Sequence, residues 1–122
     1  MAVSRWPHNN LFSDDATFRA WGLAFSNAIA AAGLVQTADT GQINWGTVTK
    51  PGTTYTSAGY EVWRFNDALQ ATAPVYIKVE YGTGAAAGAS WGALWYTVGQ
   101  GTNGAGTINV TPTARYQITT SS

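Results

Sequence analysis

In Tyr60-Glu61-Val62-Trp63-Arg64-Phe65 the side chains sort into two alternating sets, Tyr60, Val62 and Arg64 against Glu61, Trp63 and Phe65. Val75-Tyr76-Ile77-Lys78-Val79-Glu80-Tyr81 repeats the pattern, with Val75, Ile77, Val79 and Tyr81 set against Tyr76, Lys78 and Glu80. A period of two in residues rich in Val, Ile, Trp and Tyr predicts two amphipathic strands. The charges Glu61, Arg64, Lys78 and Glu80 are then expected as cross-strand partners on those adjacent strands, each pair worth about 0.2 to 1 kcal/mol.

Upstream the period is different. Ser13 is an expected N-cap, with Asp14 and Asp15 in the first turn, where carboxylates favour the helix dipole. Phe18, Trp21, Gly22, Phe25, Ala28, Ile29 and Ala32 recur at three- and four-residue intervals, and Gly33 stands where a C-terminal cap belongs. A helix is expected over 14–32, with one apolar stripe. Its opposite side is unusual: Arg19 is the only charge there, and Ala20, Leu23, Ala24, Ala30 and Ala31 are apolar, so a second surface is expected to cover it. Downstream, shorter strands are expected at 42–45, at 93–98, around Ile108 and at 116–119, separated by Gly- and Thr-rich turns. The expected fold is α+β: one N-terminal helix packed on an antiparallel β-meander, residues 13–122 forming a single domain behind an extended arm, 1–12.

Composition narrows the function. The 122 residues include six Lys plus Arg against six Asp plus Glu, a formal net charge of +0. Duplex-nucleic-acid binding needs a basic excess on one face, so it is not expected. With Cys 0 there is no disulfide framework or thiolate chemistry, and one histidine, His8, limits any zinc site to a single imidazole. Nowhere do 18 consecutive apolar residues occur, so no membrane partner is expected. Only 10% of residues are charged, below the roughly 25 to 35% of charged surface that suits a free monomer. Neighbouring subunits are therefore expected to cover part of the chain.

Four candidate sites were weighed against structural roles. Gly99-Gln100-Gly101-Thr102-Asn103-Gly104 matches G-x-G-x-x-G. A dinucleotide site would need a helix after the third glycine and an acid about 20 residues on. Thr107 to Val110 reads as strand and no acid follows Glu80, so the expectation is a flexible hairpin loop with a turn at Asn103-Gly104. For hydrolysis, His8 lies in the arm with nothing to hold it beside a serine, and the carboxylate pairs Asp14/Asp15 and Glu61/Glu80 are explained by the helix start and by strand pairing. No catalytic residue and no cofactor is expected. The aromatics Trp45, Tyr55, Tyr60, Trp63, Tyr76, Trp91, Trp95 and Tyr96 could present a stacking platform to a glycan, with core packing as their more frequent fate. Finally, Pro7 restricts Trp6 to extended conformations, and Trp6 and Leu11 are too apolar for a solvated tail. Arg5, Trp6, His8 and Leu11, with Leu23 on the back of the helix, are the candidate subunit-interface residues.

The stretch Gly59-Tyr-Glu-Val-Trp-Arg-Phe-Asn-Asp-Ala-Leu-Gln-Ala-Thr-Ala-Pro-Val-Tyr-Ile-Lys-Val-Glu-Tyr-Gly82 resembles a segment of tailed-bacteriophage virion structural proteins. Asp14-Asp-Ala-Thr-Phe-Arg-Ala-Trp21 and Thr97-Val-Gly-Gln-Gly-Thr-Asn-Gly-Ala-Gly106 are similar to further parts of the same family. The resemblance implies a non-enzymatic, cofactor-free component of a virion assembled in the host cytoplasm. Its partners would be other virion proteins and copies of itself. The expected place is the tail, baseplate or fibre, with capsid decoration as the alternative and a carbohydrate-binding module, making weak glycan contacts, as the alternative of another class.

Overall fold

The structure is a computed structural model that describes residues 14–84 and 92–119. One helix, α1 (Asp15–Ala31), precedes five strands: β1 (Val35–Gln36), β2 (Thr56–Arg64), β3 (Tyr76–Thr83), β4 (Gly92–Gly99) and β5 (Tyr116–Thr119). All neighbours are antiparallel in the order β1-β2-β3-β4-β5, so the sheet is a plain meander. A short 3₁₀ turn, Ala68–Ala71, lies between β2 and β3. The fold is α+β, as the two sequence periods predict. The arm, 1–12, and its candidates Arg5, Trp6, His8 and Leu11 lie outside the described residues, as do Ser13 and Trp91.

Asp14, not Ser13, caps the helix: its side chain accepts from the Thr17 N–H at 2.8 Å and from the Thr17 hydroxyl at 2.8 Å. A carboxylate satisfies the orphan donors and meets the positive end of the dipole at once, which an uncharged hydroxyl cannot do. The other end closes as expected. Ala32 is the C-cap and Gly33, at φ 101°, takes the left-handed conformation that turns the chain away.

The strand pairing decides which side chains share a face. Glu61 stands opposite Val79, Trp63 opposite Ile77, and Tyr81 opposite Leu94. These residues therefore face α1, whose Phe18 and Trp21 are buried and whose Phe25 and Ile29 pack against the same cluster. Tyr81, fully buried, is the centre: Trp21 and Phe25 meet its ring edge-on at 6.1 Å, and Trp45 meets it at 4.8 Å. Such edge-to-face pairs add about 0.5 to 1.5 kcal/mol each beyond the area they bury.

The register also corrects the expected charge pairs. Because Tyr60 faces Glu80 and Val62 faces Lys78, Glu61 lies on the opposite face from Lys78 and Glu80. Glu80 instead pairs with Arg115 at 2.7 Å, Lys78 lies 4.7 Å over the Tyr60 ring, and Arg64 donates to the Phe65 carbonyl. The predicted strand at 42–45 is a second correction. Ile43 does bond the β2 edge at the Tyr60 carbonyl, but the Gln42 side chain, rather than a backbone carbonyl, accepts from the Val62 N–H, and Asn44 begins a turn. Ile108 forms a single bridge with Thr102 in place of a strand.

On the second face Val62 and Trp95 are buried as well. The connection from β4 to β5 returns over this face: Ile108 sits where a side chain at Gly99 would be, and the Arg115 guanidinium lies 4.4 Å over the Trp95 ring. Replacing Trp21 by Ala removes one of the rings that enclose Tyr81 and should cost about 3 to 5 kcal/mol of unfolding free energy, read from urea melts. A parental midpoint would place the α1 stripe outside the core.

Candidate functional site

Three features on this scaffold have chemical or binding character. The first is Glu61, 2% exposed at the centre of the core. Its carboxylate accepts from the Tyr81 hydroxyl at 2.6 Å, the Ser26 hydroxyl at 2.8 Å and the Trp45 indole N–H at 3.2 Å. Strand β2 aims it inward because its register neighbour is Val79, and Ser26 reaches it from the buried side of α1. Among the described residues no cation lies within salt-bridge distance, so three neutral donors replace the water that burial removes. Burial foremost, and then the adjacent Glu61 carboxylate, push the Tyr81 phenol far above its ordinary value. The set holds a charge in place and presents no open face to a substrate.

The second feature joins two loops. Asp39 accepts from the Thr37 hydroxyl at 2.6 Å, the Thr102 hydroxyl at 3.2 Å and the Gly106 N–H at 3.0 Å. Partial burial would raise this carboxyl, yet the bonds from Thr37, Gly106 and Thr102 outweigh it and hold the group below its usual range. Tyr60 secures the same junction, donating to the Thr40 carbonyl at 2.6 Å and to the Ala105 carbonyl at 3.1 Å. Gly106, at φ 88°, rests on the Tyr60 ring so closely that a Cβ there would lie 2.2 Å from it. The Gly99–Gly104 motif is therefore a hairpin, as expected, but one pinned at several points and not a flexible loop. Among the described residues no helix follows it, and a Cβ at Gly99 or Gly101 would meet Ile108 or Val110.

The third feature is an apolar groove of about 350 Å³ between the C-terminal half of α1 and strands β3 to β5. Phe25, Ile29, Ile77, Tyr96, Val98 and Ile118 line it. It exists because β4 and β5 carry the helix-side face beyond what α1 covers: Ile118, opposite Leu94, and Tyr116, opposite Tyr96, remain 47% and 50% exposed. Trp63, another lining residue, buries its indole N–H without an acceptor among the described residues. The Tyr96 and Tyr116 rings lie 5.5 Å apart beside it, tilted by 33°. Leu23 lies apart, 42% exposed on the outer side of α1 with Ala20, Ala30 and Ala31.

Of the aromatics suggested as a platform, Trp63 and Trp95 are buried on opposite faces of the sheet, Trp45 packs on Tyr81, and Tyr55 stands alone at 60% exposure. These four do not form one exposed surface. Among the described residues no three His, Asp or Glu side chains converge as metal ligands, and no helix is long and apolar enough to cross a membrane. The groove and the Glu61 cluster were missed by sequence reasoning. Ile118 and Tyr116 carried a faint signal, as apolar residues two apart in the last strand, but only the helix's length and position leave them uncovered. Comparison with protein-family models, with curated proteins and with solved structures returns no match.

Two outcomes follow for the core charge. Glu61→Gln offers an amide N–H₂ to groups that are themselves donors, and should cost about 1 to 3 kcal/mol, read from urea midpoints at unchanged slope. For Tyr81, the folded chain keeps a proton that the unfolded chain releases near 10.0, so the folded state binds more protons above that pH and stability falls as pH rises. Ultraviolet titration should show Tyr81 ionising only as the chain unfolds.

Proposed function

We propose that the chain is a non-enzymatic structural subunit of a bacteriophage particle, placed in the tail, baseplate or fibre and repeated there in contact with copies of itself and with other virion proteins. The observation that carries this reading is the apolar groove beside α1, continuous with the half-exposed Tyr116 and Ile118. A contiguous apolar surface of this kind on a small domain marks a contact site. The sparse charge of the chain, the apolar back of α1 around Leu23 and the resemblance of the Gly59–Gly82 segment support the same role. In a symmetric assembly each such contact is multiplied by the number of copies. Capsid decoration is the alternative position for the same chemistry. The neighbouring Tyr96 and Tyr116 rings at the groove favour one reading of another class, a carbohydrate-binding module, because exposed rings offer flat faces to sugars.

Quantitative mass spectrometry of purified particles separates these. Copies in multiples of three or six support the tail, hundreds support decoration, and absence from particles together with glycan-array binding supports the module. In the same experiment, deleting residues 1–11, which contain Arg5, Trp6, His8 and Leu11, should weaken incorporation while leaving the melting temperature near the parental value.

A further inference from the structure

The chain contains one Asn-Gly pair, Asn103-Gly104, at the tip of the pinned hairpin. In any Asn-Gly sequence the peptide nitrogen of the glycine can attack the asparagine side-chain carbonyl, since no Cβ obstructs the approach. Three requirements limit the reaction: the carbonyl must lie close to that nitrogen, the nitrogen must lose its proton, and the oxygen must carry negative charge in the transition state.

The hairpin supplies named groups for the proton and the oxyanion, and a turn that brackets the reacting atoms. Asn103 Oδ1 accepts from the Ala105 N–H at 2.8 Å and the Thr107 N–H at 3.1 Å. The first of these bonds closes an Asx turn whose ring contains both the side-chain carbonyl and the Gly104 nitrogen. Together the two N–H groups form a paired donor site for the developing oxyanion. The Gly104 N–H donates to Thr102 Oγ1 at 3.2 Å, and that hydroxyl in turn donates to Asp39 Oδ1 at 3.2 Å. The Gly106 N–H on Asp39 Oδ2 and the Thr37 hydroxyl on Oδ1 hold this carboxylate in place. Asn103 and Gly104 are exposed, so water reaches the product.

We propose that the folded hairpin promotes its own deamidation at Asn103, with Thr102 and Asp39 relaying the proton and the Ala105 and Thr107 N–H groups holding the oxyanion. The Gly104 nitrogen forms a bond to Asn103 Cγ while its proton passes through Thr102 Oγ1 to Asp39. The Cγ–Nδ2 bond then breaks and ammonia leaves, carrying the returned proton. Water opens the resulting succinimide to aspartate or isoaspartate, so the net change is amide plus water to acid plus ammonia. The product has a consequence for this face of the molecule. Isoaspartate adds a methylene to the backbone directly before Gly104, whose carbonyl the Thr40 N–H binds at 2.9 Å. A new carboxylate also arrives next in sequence to Thr102, which donates to Asp39. Both changes loosen the junction between the two loops.

The test follows the full chain at neutral pH and physiological temperature. Peptide mass spectrometry with electron-transfer fragmentation would measure the amide-to-acid mass gain at Asn103 and separate aspartate from isoaspartate. The folded chain should convert faster than the same chain in urea. Thr102→Val should slow the reaction roughly tenfold to a hundredfold, in keeping with loss of a positioned proton-transfer group, and Thr102→Ser should restore it. Circular dichroism would establish that each variant is folded, and Asp39→Asn, if folded, should be slow as well. Conversion that is faster in urea, or a folded Thr102→Val chain that converts at the parental rate, overturns the proposal.

Discussion

The carboxylate of Glu61 is the constraint on which the remainder of the structure depends. A bare charge in an apolar core costs several kcal/mol, so it is tolerated only where donors surround it. Here they come from three other parts of the chain: Ser26 on α1, Trp45 in the loop before β2, and Tyr81 on β3. Helix, loop and two strands are thereby held to one register. A slip of β2 by one residue would turn Glu61 out and leave all three donors buried without an acceptor. Apolar packing alone would accept several arrangements of Phe18, Trp21 and Tyr81, whereas this directional set accepts one.

The second face is organised by the same physics with a smaller stake. Asp39 and Tyr60 tie the loop before β2 to the glycine-rich hairpin between β4 and β5. Charge is spent where it fastens structure: Asp14 at the helix start, Asp15 on the Lys50 N–H, Asp39 in the clamp, and Glu80 with Arg115 over Trp95. Little remains to decorate an open surface, and the helix-side face beyond α1 is left apolar. The charged groups thus fasten helix and loops, while the apolar groove beside α1 stays uncovered.

Much of the fold was legible in the residues because it rests on local periodicity. The three- and four-residue spacing from Phe18 to Ile29 determined α1, Gly33 determined where it stops, and the alternation in 60–65 and 75–81 determined the central strands. The resulting α+β meander followed from their order. What the tertiary structure alone decided is which of two alternating faces met the helix. Glu61 alternates as regularly as any solvent-facing residue, and nothing within its own strand distinguishes a carboxylate awaiting Lys78 from one buried beneath α1. The distinction rests on Ser26, Trp45 and Tyr81, which lie 35, 16 and 20 residues away in sequence and meet only when the sheet closes under the helix. For the same reason the groove and the relay from Gly104 through Thr102 to Asp39 were invisible to a linear reading: both are made by segments that only the folded register brings together.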